Sequence, residues 1–306
     1  MSSRSSVYVA LVLVQVFFAT LPIAVKVALR ELSSPSLALI RVSGAALLFI
    51  LIHQATVREK VRGRRDIALL AVYSLFGVIL NQLLYITALT MTTATAAQTL
   101  VTAGPAMTLL IAIVLRHETA TPMKWAGIAL AAAGALLLVG VGVSEGRALG
   151  NVLALANVAA YSIYLVISRD LLRRYNALTV ITWVFGFGVI GMLPWGLGPA
   201  LREVGGAGRD TWLAMGWIIL FPSVAAYYLN VWALARAEAS LVSTFVYLQP
   251  MLTAALASMI LKEHASARMI PAAVLIFAGV AVAIRAGQLA KRRESAAAVS
   301  AAGQEG

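Results

Sequence analysis

Cysteine is absent from the chain, which excludes disulfides, thiolate metal sites and cysteine nucleophiles. Charge is scarce: 12% of the 306 residues are charged, about half the share usual in a soluble domain. Acidic residues are the scarcer sign, with 12 Asp and Glu against 24 Lys and Arg. Histidine is rarer still. His53, His117 and His264 stand at the ends of apolar runs, without metal-ligand spacing, so no metal site is expected. No glycine-rich phosphate loop follows a strand, and no base stands beside a Ser or Thr as an activated nucleophile would require. The sequence reads as a non-enzyme without a cofactor.

What fills the chain instead is apolar. Hydrophobic residues make up 61% and the mean hydropathy is +0.90. A bilayer core is crossed by about 20 apolar residues in a helix. Ten runs qualify: 7–29, 36–54, 67–90, 94–115, 123–141, 149–168, 178–197, 212–234, 241–261 and 269–286. They are continuously apolar, which fits helices and not the alternating strands of a barrel. The first run is too long for a signal-peptide core, so it is read as an uncleaved span.

The net charge of +12 is explained by topology rather than by nucleic acid, because no soluble basic domain remains to bind one. Counted by side, 16 Lys and Arg fall with the two termini and 6 on the opposite side. Lys26 and Arg41 lie inside runs. The positive-inside rule then puts both termini in the cytoplasm, in an inner (plasma) membrane. The tail 291–306 is small, polar and charged, and is expected to be disordered.

Shifting the chain by 145 residues lays 84–139 on 229–284 without gaps. Thr99 meets Thr244, Pro105 meets Pro250, Thr108 meets Thr253, Glu118 meets Glu263 and Gly134 meets Gly279. A shift of 142 lays Gln15 on Asn157 and Thr20 on Ser162. Two units of five spans follow, 7–141 and 149–286. An odd number of spans forces the second unit to enter the membrane the other way up, the inverted repeat found in secondary transporters.

Leu84-Tyr85-Ile86-Thr87-Ala88-Leu89, the Gly104-Pro105 helix ending in Arg116-His117-Glu118, and Gly134 resemble the EamA branch of the drug/metabolite transporter superfamily. So do Ala233-Leu234, Gln249-Pro250, Lys262-Glu263 and Gly279 in the second half. The stretch from Phe18 to Arg41 also looks like plant nodulin-type members. The resemblance implies ten transmembrane helices around a central cavity lined by spans 1, 3, 4, 6, 8 and 9, with spans 5 and 10 at the periphery.

Polar side chains inside a bilayer face a cavity or one another. The candidate substrate cavity comprises Gln15, Asn81, Gln82, Tyr85, Gln98, Asn157, Tyr161, Tyr227, Asn230 and Tyr247. Gln15 and Asn157, as repeat equivalents, are expected to face each other across the pseudo-symmetry axis. Mid-helix Pro105 and Pro250 free backbone carbonyls and kink their spans, as gates or as static bends. Lys26 and Arg41 either snorkel to the outer interface or contact a substrate anion. Glu118 and Glu263 read as helix-end salt bridges, with Arg116 and Lys262 nearby.

No Asp or Glu stands mid-span, which disfavours proton-coupled export of cationic drugs. The expectation is a permease for a small metabolite, an amino acid or related zwitterion, working by alternating access in the export direction. Its partners would be that solute and lipid, with the protein a monomer or homodimer. A multidrug exporter is the second reading, and a membrane-embedded sensor or enzyme the third.

Overall fold

The computed structural model describes residues 3–139, 145–234, 245, 248–263, 267 and 269–302. Every regular element among them is helical. Seven helices are long and apolar enough to cross a membrane, and an eighth crossing is the bent pair Ala94–Val101 and Gly104–Val114. Two shorter apolar helices, Pro122–Leu137 and Leu248–Ile260, stand where spans 5 and 9 are expected. Spans 1 and 2 are Ser3–Ala28 and Ser34–Thr56; span 6 is Glu145–Ile167 and span 7 is Ala177–Glu203. The fold is a ten-helix membrane array of two inverted five-helix repeats.

Local chemistry sets the breaks. Span 4 bends by 42° between its two helices. Pro105, at the start of the second helix, has no N–H and its ring crowds the carbonyl four residues back, at Val101. Span 7 continues beyond the expected end at 197 through Pro194 and Pro199 to Glu203. There the Glu203 carboxylate accepts from the Ser33 N–H at 2.8 Å and the Ser33 hydroxyl at 3.1 Å, tying the end of span 7 to the start of span 2.

Spans 3 and 8 carry a feature that hydropathy does not reveal. Each has a π-helical turn, Leu75–Leu80 in span 3 and Ile219–Ala225 in span 8. The two coincide under the 145-residue shift. A π turn inserts a residue, loosens the backbone ladder and re-aims the side chains that follow.

Packing repeats the symmetry. Span 2 lies on span 7 and span 5 on span 10, each with its own equivalent. Span 3 packs on span 6 as span 8 packs on span 1, and span 4 packs on span 6 as span 9 packs on span 1. Spans 5 and 10 meet backbone to backbone. A Cβ placed on Gly134 would lie 2.7 Å from the Ala272 oxygen, and one on Gly127 would lie 2.7 Å from the Gly279 oxygen. Small residues permit such approach, which lipid-embedded helices use in place of the hydrophobic effect. Span 10 runs from Met269 to Ala302. This differs from the disordered tail expected from 291, and the reason lies in the alanine-rich stretch 296–302, since alanine has the highest helix propensity.

Candidate functional site

Three mid-span amides, Gln15, Gln98 and Gln249, meet with Tyr85 in a belt crossing four spans. The Tyr85 hydroxyl of span 3 donates to Gln98 Oε1 of span 4 at 3.5 Å. Gln98 Nε2 donates to Gln249 Oε1 of span 9 at 2.5 Å. Gln249 Nε2 donates to Gln15 Oε1 of span 1 at 2.6 Å. All four side chains are buried. Gln249 is the central link because it lends both halves of its amide to the first repeat, the oxygen to span 4 and the N–H to span 1. Replacing it with leucine orphans the Gln15 carbonyl and a Gln98 N–H in an apolar interior. The expected cost is about 1–3 kcal/mol, read as an earlier transition in an SDS-unfolding titration.

Arg41 ends the belt. It sits in span 2, which the family resemblance left out of the lining. Its Nη1 donates to Gln82 Oε1 of span 3 at 2.8 Å, and its Nε to Ser223 Oγ of span 8 at 3.4 Å. Gln82 follows the first π turn and Ser223 lies in the second, so the guanidinium bridges the two loosened segments. The Ser223 hydroxyl in turn donates to the Ile218 carbonyl at 2.8 Å, five residues back, an acceptor to which Pro222, four residues on, has no N–H to offer. Arg41 is only 7% exposed, so it does not snorkel. The three ion pairs found among the described residues all lie elsewhere. A buried guanidinium has five N–H groups to satisfy, and its partners here are neutral.

Other expected residues fall differently. Asn157 Nδ2 donates to the Asn81 backbone carbonyl at 2.7 Å, so Asn157 holds span 6 to span 3, whereas its equivalent Gln15 joins span 9. The two do not bond each other. Tyr161 is 40% exposed, its ring centroid 5.7 Å from that of Tyr164. Asn230 is partly buried on span 8. Tyr247 and the side chain of Tyr227 lie outside the described residues. Of the two proline positions, the bend at Pro105 is described; Pro250 lies buried near the start of the described part of span 9.

Lys26 is no free anion contact. Its Nζ is 3.0 Å from Glu263 Oε1. The helix-end carboxylates are paired as expected, but with other lysines: Glu263 takes Lys26, and Glu118 takes Lys124 at 3.0 Å. The nearest basic residues in sequence, Lys262 and Arg116, have positive φ of 55° and 59°. Both positions therefore serve as left-handed helix stops.

Polar residues that the sequence reading missed are small hydroxyls at the repeat interfaces. Thr108 Oγ1 donates to Ser162 Oγ at 3.1 Å, and Thr253 Oγ1 donates to the Ala19 carbonyl at 3.0 Å. Thr108 and Thr253 coincide under the repeat, which is the signal that could have marked them. A hollow of about 300 Å³ lies at the far end of span 4, lined by Ile113 and residues 116–120, not at the belt. In this conformation the belt residues close on one another.

Two inverted five-helix units joined through a buried belt of amides, with one cation at its edge, make a multi-pass membrane transporter. The chain belongs to the EamA-like transporter family, whose model matches twice, over residues 5–140 and 148–285. An uncharacterized transporter of Archaeoglobus fulgidus is 29% identical over 265 residues, covering 85% of this chain and 91% of that one. A WAT1-related protein of Arabidopsis thaliana is 26% identical over 319 residues, covering 90% and 83%. A crystal structure of a protein superposes with a TM-score of 0.59 at 21% identity, over 92% of this chain and 98% of that chain; this likeness shows the shared fold.

Proposed function

We propose that the protein moves a small zwitterionic metabolite, with an amino acid as the leading candidate, by alternating access. Export is the direction we assign, across an inner (plasma) membrane with both termini in the cytoplasm. The observation that carries the reading is Arg41. A cation buried among Gln82, Ser223 and the neighbouring amides, with no carboxylate partner among the described residues, suits a ligand that brings its own negative charge. Amides and the Tyr85 hydroxyl then offer acceptors to an ammonium group. A cationic drug would meet repulsion from Arg41 and no carboxylate to offset it, which disfavours the multidrug reading.

The test is reconstitution in liposomes with a panel of labelled amino acids and related zwitterions, beside a cationic dye. Saturable flux of at least one zwitterion, and none of the dye, is the expected result. Dye flux without zwitterion flux would favour the drug exporter. Binding in a thermal-shift screen without any flux would favour a sensor.

A further inference from the structure

Glu118 and Glu263 occupy one position in the two repeats but are engaged differently. The turns that present them match. The Glu118 N–H bonds the Ala112 carbonyl at 3.1 Å and the Glu263 N–H bonds the equivalent Ala257 carbonyl at 3.2 Å. The difference therefore lies in what each carboxylate meets, not in how the backbone delivers it.

Glu263, at the end of span 9, reaches across the repeats. It accepts from Lys26 Nζ at the end of span 1 at 3.0 Å and from the Ala94 N–H at 3.0 and 3.2 Å. Ala94 opens span 4, and its N–H is one of the donors that a helix cannot satisfy internally. A carboxylate is favoured there by the helix dipole. One side chain thus ties spans 1, 4 and 9 together at the end of the molecule opposite the N-terminus.

Glu118, at the other end, ties nothing across the repeats among the described residues. It pairs with Lys124, six residues on in its own unit, and its side chain is 33% exposed. It also lines the hollow at the end of span 4. Under the 142-residue shift the counterpart of Lys26 is Ser168. The Ser168 hydroxyl is buried and has no hydrogen-bond partner among the described residues. A buried hydroxyl left unpaired is costly, and this one stands where an inverted copy of the Glu263 contact would need a donor.

We propose that Glu263 and Glu118 are alternating latches. In this conformation Glu263 is latched and closes its end, while Glu118 is released. In the opposite conformation Glu118 leaves Lys124, accepts from the Ser168 hydroxyl, and closes the other end as Glu263 lets go. The inference rests on the alternating-access reading and adds the residues that set the balance between the two states.

The absence of cysteine makes the wild-type chain a ready background. Thr95→Cys places a thiol one residue beyond the latched N–H, at a site that is 5% exposed. Its maleimide labelling rate is measured in lipid nanodiscs, where both faces meet the reagent. Glu263→Gln should raise the rate about tenfold by populating the state open at that end. Lys26→Gln, which leaves the carboxylate in place, should raise it in the same direction. Adding Glu118→Gln to Glu263→Gln should bring the rate back down, because the opposite state has then lost its own latch. An unchanged rate in both single variants with flux retained would overturn the latch and leave alternating access standing. A double variant labelled as fast as Glu263→Gln, or faster, would mean that the ends open independently, which overturns alternating access as well.

Discussion

Arg41→Gln should lower zwitterion flux at subsaturating concentration by about 10- to 150-fold, while the protein stays as stable as before or gains stability. The first half follows from the ligand. A charge-assisted hydrogen bond is worth about 1.5–3 kcal/mol, and each 1.4 kcal/mol is about tenfold in affinity. The second half follows from the partners. Had Arg41 been one side of a buried ion pair, its removal would strand a carboxylate and cost about 3–5 kcal/mol. Gln82 and Ser223 are neutral, so neutralising the guanidinium strands no charge. Arg41→Lys should recover only part of the flux, because an ammonium cannot bind a carboxylate through a planar fork. Initial uptake rates and an SDS-unfolding titration on the same preparations separate the two roles. Lost stability with unchanged flux would make Arg41 a packing residue.

Among the described glycines, Gly279→Ala should add the most damaging single methyl group. Its Cβ would lie 2.4 Å from the Ala131 nitrogen and 2.6 Å from the Gly127 oxygen. These are backbone atoms, which cannot swing aside as a side chain would, so spans 5 and 10 must separate. Overpacking typically costs about 1–3 kcal/mol, and a backbone clash belongs at the upper end. Gly216 provides the contrast, since nothing lies within 4 Å of its Cβ position. Gly216→Ala should be neutral or stabilise by about 0.5–1 kcal/mol through the helix preference for alanine. If the two variants unfold alike, the close crossing is not what holds these spans.

The array and its inversion were legible because they rest on signals that a bilayer enforces: continuous apolar runs, and Pro, Glu and Gly pairs recurring at one offset. The belt was legible in part. Gln15, Gln82, Tyr85 and Gln98 stood out as costly residues in lipid; Tyr85, Gln98 and Gln15 meet through Gln249, while Gln82 meets Arg41. What composition could not give was which residue meets which. Gln15 and Asn157 are equivalents, yet one bonds a side chain and the other a backbone carbonyl, because Asn157 lies opposite the loosened end of a π turn. The π turns themselves leave no hydropathy mark, though Gly77 and Pro222 coincide under the repeat. Arg41 has no arginine counterpart in the second half, so symmetry could not assign it. The Lys26–Glu263 pair joins residues 237 positions apart, a distance at which sequence neighbours such as Lys262 look like the better partners.

Alternating access is tested most directly by counterflow. Liposomes are loaded with a high concentration of unlabelled substrate and placed in a trace of the labelled form. A carrier that exposes one site to each side in turn should drive a transient accumulation of label above equilibrium, and excess unlabelled substrate outside should abolish it. Label that only rises to equilibrium, at a rate indifferent to what is inside, would describe a channel and contradict the account.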